Sequence, residues 1–366
     1  MKTTRRIVIL ALLAPLALAP QDTREAEDQK VREIMMKNRR GEQVTAEERE
    51  FVKRANAQRM EDFKKANPPR KSTGLIPLTE LDKGTYKGEQ GGLYPGGSNM
   101  PPQAHLKAGL DLARKIAPLD AEGRSAADGK IVLLSIGMSN TTQEFQVFQK
   151  RAAADSGLNP KLAIVDGAQG GQAADTTADP QAKFWSVVEE RLSAGAVTAK
   201  QVQVVWLKQA IIQPRRPFPD DAKRLEGYIV DTLHNLANRY PNLKIAYLSS
   251  RIYAGYAATP LNPEPHSYES AFAVKWVIAD QIAGKPEVNY DAAQGPVRSP
   301  WLAWGPYLWA DGVKPRSSDG LVWLHEDLGP DGTHPSMPGR EKVAKLLLDF
   351  LKTSPTSRPW FLKKGS

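Results

Sequence analysis

The chain contains no cysteine. Disulfides, thiolate metal sites, a cysteine nucleophile and a lipidated cysteine are therefore excluded. Histidine is scarce, with five in 366 residues, so any chemistry that needs an imidazole has few places to find one. Long apolar runs are scarce as well. The one near the start, Ile7 to Ala19, follows Lys2, Arg5 and Arg6. It suits the core of a secretory leader and falls short of the ~20 residues that a spanning helix needs. Ala17-Leu18-Ala19 supplies small residues at a cleavage spacing, although Pro20 directly after the cut is unfavourable. The expectation is an exported protein, periplasmic or extracellular, with a leader over 1–20 and no stable membrane insertion after its removal. An uncleaved N-terminal anchor is the alternative. Acidic residues are outnumbered by basic ones, 41 against 50, for a formal charge of +9. A basic surface favours anionic partners such as acidic polysaccharide, cell wall or lipid headgroups, and export makes nucleic acid no partner.

What is present is ordinary for a globular chain: 41% hydrophobic and 25% charged residues. Residues 21–69 are dense in charge and poor in β-formers. Val31, Ile34 and Met35 have helical spacing, and Thr45 to Glu48 reads as a capping box before Phe51, Val52 and Ala55. Two short helices broken at Gly41 are predicted, packed as a hairpin or free as an arm. Residues 70–127 begin with a glycine- and proline-rich stretch to 102, in which Leu75, Ile76, Leu93 and Tyr94 are apolar enough to be pinned and buried. A helix over 103–117 follows, with Leu106, Leu110 and Ile116 inward. From residue 128 the pattern alternates. Ile131–Ile136, Leu162–Val165, Val202–Leu207, Leu243–Leu248 and part of Trp301–Trp309 read as strands. Helical segments lie between them and after them, the last over Gly339–Leu351 with a cap near Ser336. This predicts an α/β fold: a three-layer α/β/α sandwich on a parallel sheet of about five strands, with chemistry at the carboxyl ends of the strands.

Two places carry reactive groups in that frame. The first strand runs into Gly137-Met138-Ser139-Asn140 and a helix follows. A serine there presents its hydroxyl at the reactive edge, beside free N–H groups of the first helical turn. A plain helix cap would use serine in the same way. Near the other end, Asp331-Gly332-Thr333-His334-Pro335 precedes the last helix. Serine needs a base to take its proton, and histidine held by a carboxylate is that base near neutral pH. Of the five histidines, His334 has the Asp-x-x-His setting; His325 is the rival by proximity, and His105, His234 and His266 lie elsewhere. A turn before a capped helix would also account for Asp331 and His334 taken alone.

In order and spacing these residues resemble the SGNH, or GDSL-like, hydrolases over roughly residues 128–355. Gly137-Met138-Ser139 matches the first block, Gly167-Ala168-Gln169-Gly170-Gly171 the second, and Asp331 to His334 the fourth. The resemblance implies Ser139 as nucleophile, His334 as base and Asp331 as its orienting carboxylate. It implies an oxyanion hole from the N–H groups of Ser139 and Gly170, and no metal or organic cofactor. The aspartate usual before the serine is Met138. The third block departs further: where the family has Gly-x-Asn, this chain reads Lys208-Gln209-Ala210. Gln209 offers the same amide one methylene further out and Lys208 a cation. Loss of one such donor costs ~3 kcal/mol, about a hundredfold or more in rate.

Trp304, Tyr307, Trp309 and Trp323 lie just ahead of Asp331. Flat rings beside a reactive edge hold sugars or acyl chains, and they equally fill cores. Taken together, the residues predict a serine esterase that removes an acyl group, foremost acetyl, from a carbohydrate, with a small-molecule or polysaccharide ester as partner. Two alternatives stand beside it: a non-catalytic glycan-binding or wall-associated protein on the same fold, and a lipid ester hydrolase.

Overall fold

The computed structural model describes residues 20–39 and 42–363. The leader predicted over 1–20 thus lies outside the described residues except for Pro20. The described residues divide into two compact units, parted after Lys65.

In the first unit, helices α1 (Pro20–Arg39) and α2 (Ala46–Ala66) are longer than the short helices predicted. Gly41, the predicted break, lies outside the described residues. The start of α2 is the capping box seen in the sequence: the Glu48 N–H donates to Thr45 Oγ1 at 3.1 Å and the Thr45 N–H to Glu48 Oε2 at 2.8 Å. Ion pairs Lys37–Glu48 and Arg59–Asp28 join the two helices. Val31, Ile34 and Ala55 are buried between them, while Met35, on the neighbouring flank, is exposed.

The second unit is built on five parallel strands: β1 (Ile131–Gly137), β2 (Leu162–Asp166), β3 (Val202–Lys208), β4 (Ile245–Ser249) and β5 (Trp301–Trp304). Their order is β2-β1-β3-β4-β5. Leu134 pairs with Val165 on one side and Val205 on the other, so β1 and β3 are covered on both flanks and both faces. That explains their near-continuous apolar runs, interrupted by Ser135 in β1 and by Gln203 in β3. The fifth strand stops at Trp304, because the chain leaves the sheet at Gly305 and Pro306. In order along the chain come α3 (Gln103–Ala113), α4 (Ser139–Ala153), α5 (Lys183–Ala194), α6 (Asp220–Arg239), α7 (His266–Ile282) and α8 (Met337–Thr353). Helix α4 packs with α8, and α6 packs with α7, so the sheet carries helices on both faces. The order places the topological switch between β1 and β3, where β1 leads into α4; ligands of such sheets bind at that point.

Two local expectations need correction. Helix α3 turns His105, Gly109 and Ala113 inward rather than Leu106 and Leu110, with Ile116 just beyond it also buried. The reason is steric: a Cβ on Gly109 would lie 2.3 Å from the Trp301 ring, so the helix seats its smallest residues on that indole. In the stretch 70–102, Leu93 and Tyr94 are buried and Leu75 is half-buried, but Ile76 is 50% exposed. Backbone contacts hold that stretch instead: Ile76 O accepts from Tyr268 Oη at 2.8 Å, and the N–H groups of Thr73 and Gly74 donate to Asp311 at 2.6 and 3.0 Å. Among the described residues no helix is long and apolar enough to cross a membrane.

Candidate active site

The end of β1 explains why glycine stands two residues before the serine. A Cβ on Gly137 would lie 2.3 Å from the Lys208 carbonyl oxygen and 2.4 Å from Thr141 Oγ1. The strand therefore comes close to β3, and the chain turns directly into α4. Ser139 is the first helical residue, where the backbone N–H has no acceptor inside the helix.

His334 reaches this serine from the loop before α8. Ser139 Oγ and His334 Nε2 are 2.7 Å apart. On the other side of the ring, Nδ1 lies 2.5 Å from Asp331 Oδ2. Asp331 also accepts from the N–H groups of Thr333 and His334, both at 3.0 Å. Burial alone would raise the Asp331 pKa. The hydrogen bonds from the His334 ring and the two N–H groups outweigh that and bring it down to about 2. The carboxylate is thus ionised across the neutral range and accepts the proton on Nδ1. In the tautomer with its proton on Nδ1, Nε2 turns its lone pair to the serine, whose hydroxyl then donates in that contact.

The loop itself is fixed from three sides. Gly332 has φ of +63°, and a Cβ there would lie 1.9 Å from the Tyr256 carbonyl oxygen, so only glycine fits. The Thr333 carbonyl accepts from Asn140 Nδ2 at 2.9 Å and from Arg251 Nη2 at 3.3 Å. Asn140 follows Ser139 directly, so a single helical turn positions the hydroxyl and holds the loop that brings the imidazole. Sequence reading missed both clamps. Asn140 had a readable sign in its place beside the serine, and Arg251 in its place just past the end of β4.

A pocket of about 240 Å³ opens beside these groups. Met138, Ser139, Gly171, Ala173, Ala210, Ile211, Ile212, Leu261, Thr333 and His334 are among its walls, with Asn140, Arg251 and Asn262. Gly171 lines it, and Gly170, the glycine singled out from the sequence, does not. The two form the centre of a turn closed by the Gln172 N–H on Gln169 O at 3.4 Å. Gly171 takes φ of +75°, the left-handed value that the third position of such a turn demands.

Neither third-block candidate reaches the pocket. Lys208 is wholly buried and its ammonium is bonded to the Glu144 carboxylate. Gln209 is 3% exposed, and its Nε2 donates to Gln172 O and Thr177 Oγ1, both at 3.2 Å. The two side chains leave the strand end away from the reactive edge because each meets a buried partner there. Gln209→Ala is therefore expected to lower stability by about 1–3 kcal/mol, by removing the amide's bonds to Gln172 O and to Thr177 Oγ1, which keeps Ala174 O and Thr232 Oγ1, and to lower kcat less than tenfold. Chemical denaturation beside steady-state kinetics checks both; a hundredfold loss of kcat in a fully folded variant would return Gln209 to the site.

The aromatic residues predicted to hold substrate are core instead. Trp304, Tyr307, Trp309 and Trp323 are all buried, and none lines the pocket. Their polar atoms are engaged internally: Trp304 Nε1 on Leu93 O at 2.7 Å, Trp309 Nε1 on Glu264 Oε1 at 2.8 Å, and Trp323 Nε1 on Leu308 O at 2.9 Å. Tyr307 Oη accepts from the Leu78 N–H at 3.1 Å. The other histidines stand apart. His105 bonds Leu302 O, His234 bonds Glu287 O, His266 pairs with Glu269, and the exposed His325 stacks edge-on against Tyr256.

Sheet order, a serine at the turn from the first strand into its helix, and an Asp-x-x-His loop before the closing helix agree with the fold that the resemblance to SGNH hydrolases implies. No family model matches the chain, and no curated protein matches it in sequence. Solved structures similar to it are distant. A proposed acylhydrolase of Bacteroides fragilis is 11% identical, with a TM-score of 0.37 over 70% of this chain and 99% of that one. The periplasmic domain of a lipopolysaccharide acetyltransferase from Salmonella ser. Paratyphi A is 13% identical, with a TM-score of 0.33 over 67% and 95% of the two chains. A protein from Streptococcus pneumonia, described as a proposed platelet activating factor, is 13% identical, with a TM-score of 0.30 over 68% and 92%. Likeness at this distance carries nothing about substrate.

Proposed function

We propose that the protein is a serine ester hydrolase working through an acyl-enzyme. The observation that carries this reading is the contact of Ser139 Oγ with His334 Nε2 at 2.7 Å, at the rim of an open pocket. Ser139 Oγ attacks the carbonyl carbon of the ester while Nε2 takes its proton. The imidazolium, held by the Asp331 carboxylate, then protonates the alcohol oxygen as the ester C–O bond breaks. Water enters, Nε2 removes its proton, and the hydroxide attacks the acyl carbon. The acid leaves, and the proton returns to Ser139. The negative oxygen of each tetrahedral stage falls to the Ser139 N–H at the start of α4 and to an N–H of the Gly170–Gly171 turn. With Lys208 and Gln209 facing elsewhere, no third-block side chain serves as a donor, and backbone groups carry that task.

The rings that suggested a carbohydrate alcohol lie in the core, so the proposal rests on the acyl-transfer chemistry of Ser139 and His334 and names no alcohol. The lipid and glycan alternatives thus differ on the side of the ester that leaves. The leader-like stretch from Lys2 to Ala19 supports export. A fluorophosphonate probe tests the reading directly. Covalent labelling of the wild type, lost in Ser139→Ala, is the expected result. Absence of labelling in a folded wild type would hand the fold to the non-catalytic binding reading.

A further inference from the structure

The wall of the pocket is almost entirely carbon. Met138, Ala173, Ala210, Ile211, Ile212 and Leu261 supply it, from the junction of β1 with α4, the segment after β2, the segment after β3 and a loop past β4. Ile212 stands 46% exposed at its edge, although nothing in the fold of β3 requires an isoleucine in water. An acetyl group has one methyl to place against these residues. Taking a methylene as about the size of a water in the liquid, ~30 Å³, a volume of about 240 Å³ has room for on the order of eight heavy atoms. About three of those places go to the reacting carbonyl carbon and its two oxygens.

We infer that the pocket is an acyl-chain site, and that the protein prefers esters of medium-length straight-chain fatty acids, centred near hexanoyl, over acetate esters. The inference rests on the esterase reading and names its substrate class. The pocket opens directly from Ser139 Oγ and is also edged by Thr333 and His334, so the acyl chain and the alcohol chain are told apart by the two ester series below. Each methylene taken from water into such a wall favours binding by about fourfold. Between acetyl and hexanoyl lie four methylenes, enough for a preference well above tenfold even if the chain is only partly covered.

The test uses the full chain and two series of esters. In the first, p-nitrophenyl esters run from acetyl to decanoyl. The expected result is a kcat/KM that rises about tenfold or more from acetyl to hexanoyl and falls beyond octanoyl. In the second, acetate esters carry alcohols of increasing length, and a flat profile is expected. Leu261→Trp, at a half-buried position that tolerates bulk, fills the chamber and should cut the hexanoyl-to-acetyl ratio by about tenfold. Ile212→Asp, at an exposed position, should lower the same ratio by making the wall polar. A profile that falls from acetyl onward, or length dependence on the alcohol side, overturns the acyl-site inference; if fluorophosphonate still labels Ser139, the esterase reading survives. No turnover of any ester together with no labelling overturns both.

Discussion

Ser139→Ala should lower kcat for any ester the protein cleaves by at least about 10⁴-fold, and His334→Ala by a similar factor. The two replacements together should cost no more than either alone. A hydroxyl without a base is not a nucleophile at neutral pH, and a base without the hydroxyl has nothing to deprotonate, so the pair acts as one unit. Asp331→Asn should cost less, about 10²–10⁴-fold. It removes the negative acceptor that holds the Nδ1 proton, so the ring can present its N–H to Ser139 instead of its lone pair. It also loses the charge that steadies the imidazolium. The effect belongs in kcat rather than KM, because these interactions are made in the transition state. Circular dichroism and denaturation midpoints should stay near wild type for Ser139→Ala, whose side chain makes one contact, with His334. Asp331→Asn should leave the loop in place, since an amide Oδ1 can still accept from the two backbone N–H groups. Additive losses across Ser139→Ala and His334→Ala would contradict a shared role.

The depressed pKa of Asp331 sets a direction for acid behaviour. A carboxylate held lower in the folded state than in the unfolded chain adds stability that is present above the unfolded value, ~3.9. It is lost as pH falls toward the folded value of about 2. Through neutral pH the ion–imidazole geometry therefore persists.

The parallel sheet was legible because β1 and β3 are mostly apolar, with Ser135 in the one and Gln203 in the other as exceptions, and because buried parallel strands between helical stretches carry that pattern. The Ser139, Asp331 and His334 positions were legible for a related reason. A strand-to-helix turn and a loop before the closing helix are where the sheet's carboxyl edge must be. The aromatic residues misled because closeness in sequence to Asp331 says nothing of which way a ring faces. Trp304 ends β5 and Trp309 and Trp323 follow it, and every indole N–H finds an internal acceptor, which frees the ring to fill core. Lys208 and Gln209 misled in the opposite way. Polar residues at the end of a central strand read as site residues, yet a sign of their burial was present in α4. Asn140, Thr141, Glu144, Phe145, Val147 and Phe148 are all buried there, a stripe at spacings of three and four with a glutamate in its middle. A carboxyl in a buried stripe needs a buried hydrogen-bond partner, and Lys208 is that partner.

Lys208→Met should destabilise the protein by about 3–5 kcal/mol, the cost of leaving one partner of a buried pair alone. At about 2 °C per kcal/mol for a chain of this size, that is a fall in Tm of roughly 6–10 °C. Both members are wholly buried, and Lys208 contributes the single hydrogen bond to Glu144 found among the described residues, while Glu144 Oε1 has no partner there. Burial pulls the Lys208 ammonium down to about 8 against the Glu144 charge that holds it up, and burial pushes the Glu144 carboxyl up. Burial thus works against the charge on each group, and the contact between them works for it. Arg251, also buried, is a second cation that favours the Glu144 charge and has Glu264 and Asp331 as further anions, so Glu144→Leu alone should be harmful chiefly by leaving the Lys208 ammonium without its partner. The double variant Lys208→Met with Glu144→Leu should recover most of the loss, because apolar side chains of similar volume replace both charges and their desolvation together. Denaturation of the four proteins gives the coupling energy from the cycle. Turnover by the folded fraction should change far less in Lys208→Met than in Ser139→Ala, since the ammonium faces Glu144 and not the pocket. An unchanged Tm with kcat down a hundredfold would reverse the assignment and return Lys208 to the oxyanion.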